Sequence, residues 1–171
     1  SSNDILDLKE YSMVNVLKDL VCVIHTRLGE KQVEFLLDID SNIPSRLLGD
    51  YNKIYQVLLN LLTNAVKYTE EGGNITFEIK EIKVTNPQIV KYKFIISDNG
   101  IGMSEEYLKD IFKPFTREET SLTDAVQGTG LGMAITKNLI DLMGGTIKVL
   151  STQGVGTTYE VTMEFRIADI N

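Results

Sequence analysis

The sequence predicts an α+β fold, with several helices packed on one face of a mixed, mostly antiparallel sheet. Two observations carry this. Stretches with apolar residues at helical spacing are separated by stretches that alternate apolar and polar residues, and the alternating stretches come largely in pairs joined by short turns. With 171 residues, 43% of them hydrophobic and 24% charged, the chain fits one domain (1–171) able to bury a core.

The first element is expected over 7–29. Leu8, Met13, Val16, Leu17, Leu20, Ile24 and Leu28 recur there at helical spacing, and Gly29 is a stop. Val33, Phe35, Leu37 and Ile39 alternate as in a half-buried strand, and 42–49, containing Pro44, reads as a connection. Asp50 can cap a helix running to about Thr69, because its carboxylate accepts from the free N–H groups of the first turn. Glu70, Glu71, Gly72, Gly73 and Asn74 make a turn. Ile75, Phe77 and Ile79, then Tyr92, Phe94 and Ile96, alternate as a strand pair joined by a loop with Asn86 and Pro87. Ser104 opens a helix to about Phe112, 116–127 is a polar stretch with little to pack, and 131–143 is a helix ended by Gly144 and Gly145. Residues 147–150 and 159–165 form a last strand pair around the turn at Gln153 to Gly156.

A net charge of −7 argues against a general nucleic-acid binder, which needs a basic face. It also requires any polyphosphate ligand to be met by local donors and a cation. The single cysteine, Cys22, forbids an intramolecular disulfide and reads as a small core residue. No apolar run is long enough to span a bilayer, and the polar, acidic start SSNDILDLKE is no signal peptide. A soluble fragment is expected.

Four features point to a ligand. In the helix over 50–69, Ile54, Val57, Leu58, Leu61, Leu62 and Ala65 fall on one side, while Gln56, Asn60, Asn64 and Lys67 fall on the other. Amides there present neutral oxygen to a hard metal ion and neutral N–H to phosphate, where a carboxylate would repel a polyphosphate; a merely solvated stripe is the plain alternative. The segment Asp98-Asn99-Gly100-Ile101-Gly102 follows a strand. Asp98 can accept from an exocyclic amine while Gly100 and Gly102 let a flat base approach the backbone; alone, it could equally be a β-turn. Gly128-Thr129-Gly130-Leu131-Gly132 leads into a helix whose N-terminus suits an anion, though it matches neither the Rossmann fingerprint nor the P-loop, and a hinge is the alternative. Gly154-Val155-Gly156-Thr157 reads first as a tight hairpin, with the Thr157 hydroxyl facing a base as a second role.

In order, NLLTNAVKYT, DNGIG, IFKPF, GTGLG and GVGT resemble the N, G1, F, G2 and G3 boxes of sensor histidine kinases, and the resemblance runs from about Asp4 to Phe165. It implies the Bergerat, or GHKL, ATP-binding fold, a two-layer α/β sandwich shared with gyrase-type topoisomerases, ninety-kilodalton heat-shock chaperones and mismatch-repair ATPases. The implied ligands are ATP or ADP with Mg²⁺. By this likeness Asn64, with Asn60, would hold the ion at the phosphates, Lys67 would touch phosphate, and these three would be the catalytic residues. Tyr68 and Ile101 would lie against the adenine and Asp98 would accept from its amino group. Gly100 and Gly102 would shape the pocket. Gly128, Thr129, Gly130, Leu131 and Gly132 would wrap the phosphates at the end of a lid over 116–127, with Phe112 and Phe115 beneath it and Thr157 near the base.

Lys113 stands where the family often has an acidic residue. The family's phosphoacceptor, a His followed by Glu or Asp on a dimerising helical hairpin, has no match: the one histidine, His25, precedes Thr26 and reads as structural or solvent-facing. The resemblance thus implies a catalytic domain that transfers the γ-phosphate to a histidine outside this chain and lacks self-phosphorylation. Its partners would be the dimerisation domain and a response-regulator receiver domain. It would be a monomeric cytoplasmic fragment of a parent often anchored in the membrane. Three readings compete. An ATP-hydrolysing relative would carry a Glu on the N-box helix, where this chain has Gln56 and Asn60. A serine kinase of the anti-sigma type fits the K-Y-T ending and long lid less well. A binding module that has lost catalysis would be expected to have lost Asn64, Asp98 and GTGLG.

Overall fold

A computed structural model describes residues 5–39, 42–114 and 132–168. Elements follow in the order β1 (Lys9–Tyr11), α1 (Met13–Leu28), β2 (Glu34–Ile39), β3 (Leu47–Gly49), α2 (Tyr51–Tyr68), β4 (Asn74–Ile82), β5 (Ile89–Asp98), α3 (Glu105–Lys109), α4 (Gly132–Leu142), β6 (Thr146–Thr152) and β7 (Gly156–Ile167). The seven strands form one sheet in the order β1-β3-β7-β5-β4-β2, with β6 beside β7. Every pairing is antiparallel except β2 with β4. The expected α+β sheet and helix architecture is therefore present.

Strand parity decides which side chains form the core. On β5, Val90, Tyr92, Phe94, Ile96 and Asp98 are buried, and on β7 Thr157, Tyr159, Val161, Met163 and Phe165 are. Register aligns them in cross-strand rows: Phe77, Ile96, Tyr159 and Val149 form one, and Ile79, Phe94, Val161 and Ile147 the next. The row after Val149 and Tyr159 reaches the strand ends and turns polar on three strands, as Ser151, Thr157 and Asp98, beside the buried Ile75 of β4. Burying each large apolar side chain contributes on the order of 1.5–3 kcal/mol, so the interior rows hold the sheet to the helices and the terminal row is left for polar work.

Helix α2 packs its buried residues Ile54, Val57, Leu58, Leu61, Leu62, Ala65 and Val66 into this core, and α1 packs beside it through Met13, Val16, Leu17, Leu20, Ile24 and Leu28. Asp50 caps α2 as expected, accepting from Lys53 N at 3.1 Å. At the other end Lys31 Nζ donates to the Val66 carbonyl at 2.9 Å, placing a cation on the negative helix terminus.

Four expectations need correction. The helix expected from residue 7 starts at Met13: Ser12 Oγ accepts from Asn15 N at 3.2 Å, and the residues before it form β1 against β3, leaving Leu8 exposed. The connection over 42–49 contains β3, too short to show alternation. The helix from Ser104 ends at Lys109 rather than near Phe112, since the chain turns at Asp110 shortly before Pro114. Cys22 is exposed rather than in the core, because it lies two residues from the buried Leu20 and Ile24 and so faces away from them.

Candidate functional site

The polar end of the sheet meets the polar side of α2. Asp98, the last residue of β5, is 9% exposed. Its Oδ1 accepts from Gly100 N at 2.9 Å, and the Thr157 N–H also donates to the carboxylate. Burial pushes this carboxyl above its ordinary range, and the two N–H groups only partly pull it back. The site thus holds a dehydrated carboxylate with lone pairs to spare.

The glycines beside it bring backbone to backbone. A Cβ on Gly100 would lie 2.1 Å from the Tyr68 carbonyl oxygen, which also accepts from Ile101 N at 3.0 Å. Gly102 has φ 67°, and a Cβ on it would lie 2.1 Å from the Thr152 carbonyl oxygen. The DNGIG loop is therefore clamped between the end of α2 and the β6–β7 hairpin. The hairpin expected at Gly154 and Gly156 is present.

Asn60 and Asn64 do not line a solvated outer face, the plain alternative for this stripe. Helix α4 crosses α2, and both amides are half-buried against it. Asn60 Nδ2 donates to Thr136 Oγ1 at 3.1 Å, and Thr136 Oγ1 donates to the Gly132 carbonyl at 2.7 Å. Asn64 Nδ2 donates to Met133 Sδ at 3.3 Å and also hydrogen-bonds the buried Tyr159 hydroxyl. Burial, with the nearby Asp98 charge, raises the Tyr159 phenol far above its usual range, so it stays protonated. The NH₂ groups of both amides are thus engaged by α4. Gln56 is exposed at the far end of the stripe, while Lys67 and Tyr68 are half-buried on the last turn of α2.

Tyr68, Asp98, Gly100, Ile101, Gly102 and Thr157 thus meet where the end of α2, the DNGIG loop and the β6–β7 hairpin come together. Asn64 reaches them through Tyr159, while Asn60 lies further back on α2 against α4 and Lys67 sits on the last turn. Gly132 opens α4. Phe115, Gly128, Thr129, Gly130 and Leu131, with the segment 116–127 expected as a lid, lie outside the described residues. Phe112 is half-buried and packs on the core. Sequence reasoning missed Ser151, Thr136 and Tyr159. Ser151 had a readable signal: it continues the inward parity of Ile147 and Val149, so a hydroxyl there points into the protein.

Comparison with known proteins gives the family and the fold. Residues 49–167 match the family described as histidine kinase-, DNA gyrase B-, and HSP90-like ATPase. The chain belongs to that family. It is 37% identical over 161 residues to hybrid signal transduction histidine kinase F of Dictyostelium discoideum, covering 94% of this chain and 14% of that protein. It is 36% identical over 160 residues to the peroxide stress-activated histidine kinase mak2 of Schizosaccharomyces pombe, covering 92% of this chain and 7% of that one. The chain thus spans a small part of these relatives. Among solved structures, full-length ShkA in complex with AMPPNP superposes with TM-score 0.77 at 28% identity, over 97% of this chain and 33% of that one. The catalytic domain of histidine kinase ThkA shares the fold, with TM-score 0.74 at 24% identity over 92% of this chain and 95% of that one.

Proposed function

We propose that this chain is the ATP-binding catalytic domain of a sensor histidine kinase. The observation that carries the reading is the buried Asp98 carboxylate, which has spare lone pairs at a strand end beside an amide-bearing helix. An adenine amino group donates to Asp98, and the base lies between Tyr68 and the Gly100–Gly102 backbone. The phosphates extend along α2 toward Lys67 and toward the start of α4, where free N–H groups and the helix dipole favour an anion. The Gly128, Thr129, Gly130, Leu131 and Gly132 segment wraps them.

The donor set fits Mg²⁺. Two neutral amide oxygens, on Asn60 and Asn64, are hard ligands that leave room for phosphate oxygens and water, which this ion prefers. Among the described residues no group of three or more His, Cys, Asp or Glu competes for a metal. When bound, the ion neutralises phosphate charge. Phosphoryl transfer asks mostly for positioning and charge stabilisation, and α2, Asp98 and the glycine segments supply the positioning.

The acceptor histidine belongs to a dimerisation domain outside these 171 residues, and a receiver domain takes the phosphoryl group on. The relatives that include hybrid kinases support this. The domain is expected to act on the cytoplasmic side, whether or not the parent is membrane-anchored. No helix among the described residues is long and apolar enough to cross a membrane.

Calorimetric titration with ADP and a non-hydrolysable ATP analogue, with and without Mg²⁺, tests the nucleotide site. Binding by the unmutated chain that is lost in Asp98→Asn supports it; no binding in either sinks it. Incubation with labelled ATP should leave the chain alone unlabelled, and robust self-phosphorylation would overturn the proposed division of labour.

A further inference from the structure

Ser151, Thr157 and Asp98 occupy one cross-strand row on the core-facing side of the sheet. Ser151 pairs with Thr157 between β6 and β7, and Thr157 pairs with Asp98 between β7 and β5. Side chains opposite one another in such a row stand about 5 Å apart at Cβ, within reach of a hydrogen bond.

The proton inventory of this row has one solution that satisfies every contact. A serine hydroxyl has one proton to give and two lone pairs. Met103 N lies 2.9 Å from Ser151 Oγ, and a backbone N–H can only donate, so one lone pair is used. The Gly156 carbonyl oxygen lies 3.1 Å away and can only accept, so the Ser151 proton goes there. The third contact, Thr157 Oγ1 at 2.8 Å, must then run from threonine to serine. Thr157 gives up its proton to Ser151 and keeps only lone pairs to offer a ligand. Its neighbour Asp98, when ionised, likewise offers only acceptors.

We propose that Ser151 is a positioning residue that sets the base preference of the nucleotide site, by holding the Thr157 hydroxyl as an acceptor beside Asp98. This rests on the placement of a purine on Asp98 argued above. A 6-amino purine brings N–H groups to a wall of acceptors. At position 6 a 6-oxo purine brings an oxygen instead of N–H groups to the same wall, where acceptors face an acceptor. Without Ser151 the Thr157 hydroxyl is free to rotate and donate, and the wall loses part of its discrimination. Ser151 touches no base itself; it acts through Thr157.

The test is calorimetric titration of this chain with ADP and with inosine diphosphate. The variants are Ser151→Ala, Ser151→Thr, Thr157→Val and the double variant Ser151→Ala/Thr157→Val. The unmutated chain should prefer ADP, and Ser151→Ala should narrow the ADP to inosine diphosphate ratio by about fivefold, the worth of one hydrogen bond. Ser151→Thr, which keeps the hydroxyl, should restore the ratio. Thr157→Val should narrow it alone, and adding Ser151→Ala should narrow it no further. Equal weakening of both ligands in Ser151→Ala would mean that the serine only braces the hairpin, and would overturn the proposal. So would an unchanged ratio. Should Ser151→Ala fail to fold, Thr157→Val and Ser151→Thr still decide: a ratio unmoved by Thr157→Val, or lost in Ser151→Thr, sinks the idea. If the unmutated chain binds neither nucleotide, the nucleotide site itself fails. If ADP binds and Asp98→Asn abolishes it while Ser151→Ala keeps the ratio, the site stands and only the role of Ser151 falls.

Discussion

Asn60 on α2 and Thr136 on α4 are joined by a hydrogen bond of 3.1 Å, in which the amide donates to a fully buried hydroxyl. The hydroxyl has spent its own proton on the Gly132 carbonyl one turn back. This small relay couples the helix that bears the amides to the first turn of the helix proposed to receive phosphate. Thr136→Val keeps the shape and removes the acceptor, leaving a half-buried amide unpaired. It should cost about 1–2 kcal/mol in denaturant unfolding. The same change should cost clearly less in an Asn60→Ala background, and equal costs in both backgrounds would mean that the pair is not coupled.

Gly100→Ala and Gly132→Ala should behave in opposite ways. At Gly100 the new methyl would meet the Tyr68 carbonyl oxygen at 2.1 Å, with Asp98 Oδ1 at 3.0 Å beside it, so relief requires moving the end of α2. A loss of roughly 3 kcal/mol or more is expected, in the range of severe steric defects. At Gly132 nothing among the described residues, beyond the helix's own backbone, lies within 4 Å of the new methyl, and alanine in a helix is favoured over glycine by about 0.5–1 kcal/mol. Thermal melts of both variants check this. A Gly132→Ala protein that melts at or above the unmutated temperature but binds the ATP analogue less tightly would support close approach of phosphate to that backbone.

Asp50 ties three things together. It caps α2 through Lys53 N, pairs with Lys53 Nζ at 3.3 Å, and accepts from Asp7 N at 2.8 Å, which fixes the segment leading into β1. Burial pushes its carboxyl up, but these partners outweigh that and hold it below the ordinary carboxylate range. A group lowered on folding stabilises the protein above its unfolded pKa and loses that contribution as pH falls through the lower folded value. Asp50→Ala should therefore cost about 1–2 kcal/mol near neutral pH. The gap to the unmutated protein should close in strong acid, below pH of about 4. Urea unfolding at several pH values measures the gap, and a gap independent of pH would exclude the carboxylate as its source.

Much of this was legible in the sequence because parity and spacing are local properties. The buried faces of α1 and α2, the Asp50 cap, the Ser104 cap and the alternation on β4, β5 and β7 follow from residues read a few positions at a time. What was not legible depends on contacts far apart in the chain. Strands of three residues, β1 and β3, carry no alternation to read and exist because each has a neighbour to pair with. For Asn60 and Asn64 the sequence leaves a solvated stripe open as an alternative, because the amphipathic pattern of α2 cannot reveal that α4, some 70 residues on, will cover the polar side. Gly100 and Gly102 read as room for a ligand, whereas part of their purpose is room for the Tyr68 and Thr152 carbonyls.

Asp98 should respond to pH with the opposite sign to Asp50. Its carboxyl is raised by burial, so between its ordinary value of about 4 and the higher folded value the native protein holds a proton that the unfolded chain has released. The contribution of this group to stability is present at low pH and lost as pH rises through the folded value. Asp98→Asn removes the buried charge while leaving an oxygen for Gly100 N, so its melting temperature relative to the unmutated protein should climb from acid toward neutral pH. Saturating ADP should reverse the trend in the unmutated protein, because an amine donating to the carboxylate favours the charged form that burial disfavours. Melting curves of both proteins from acid to neutral pH, with and without ADP, test this directly. A relative stability of Asp98→Asn that stays flat across that range would show that Asp98 is not the strained, dehydrated carboxylate on which the adenine site depends.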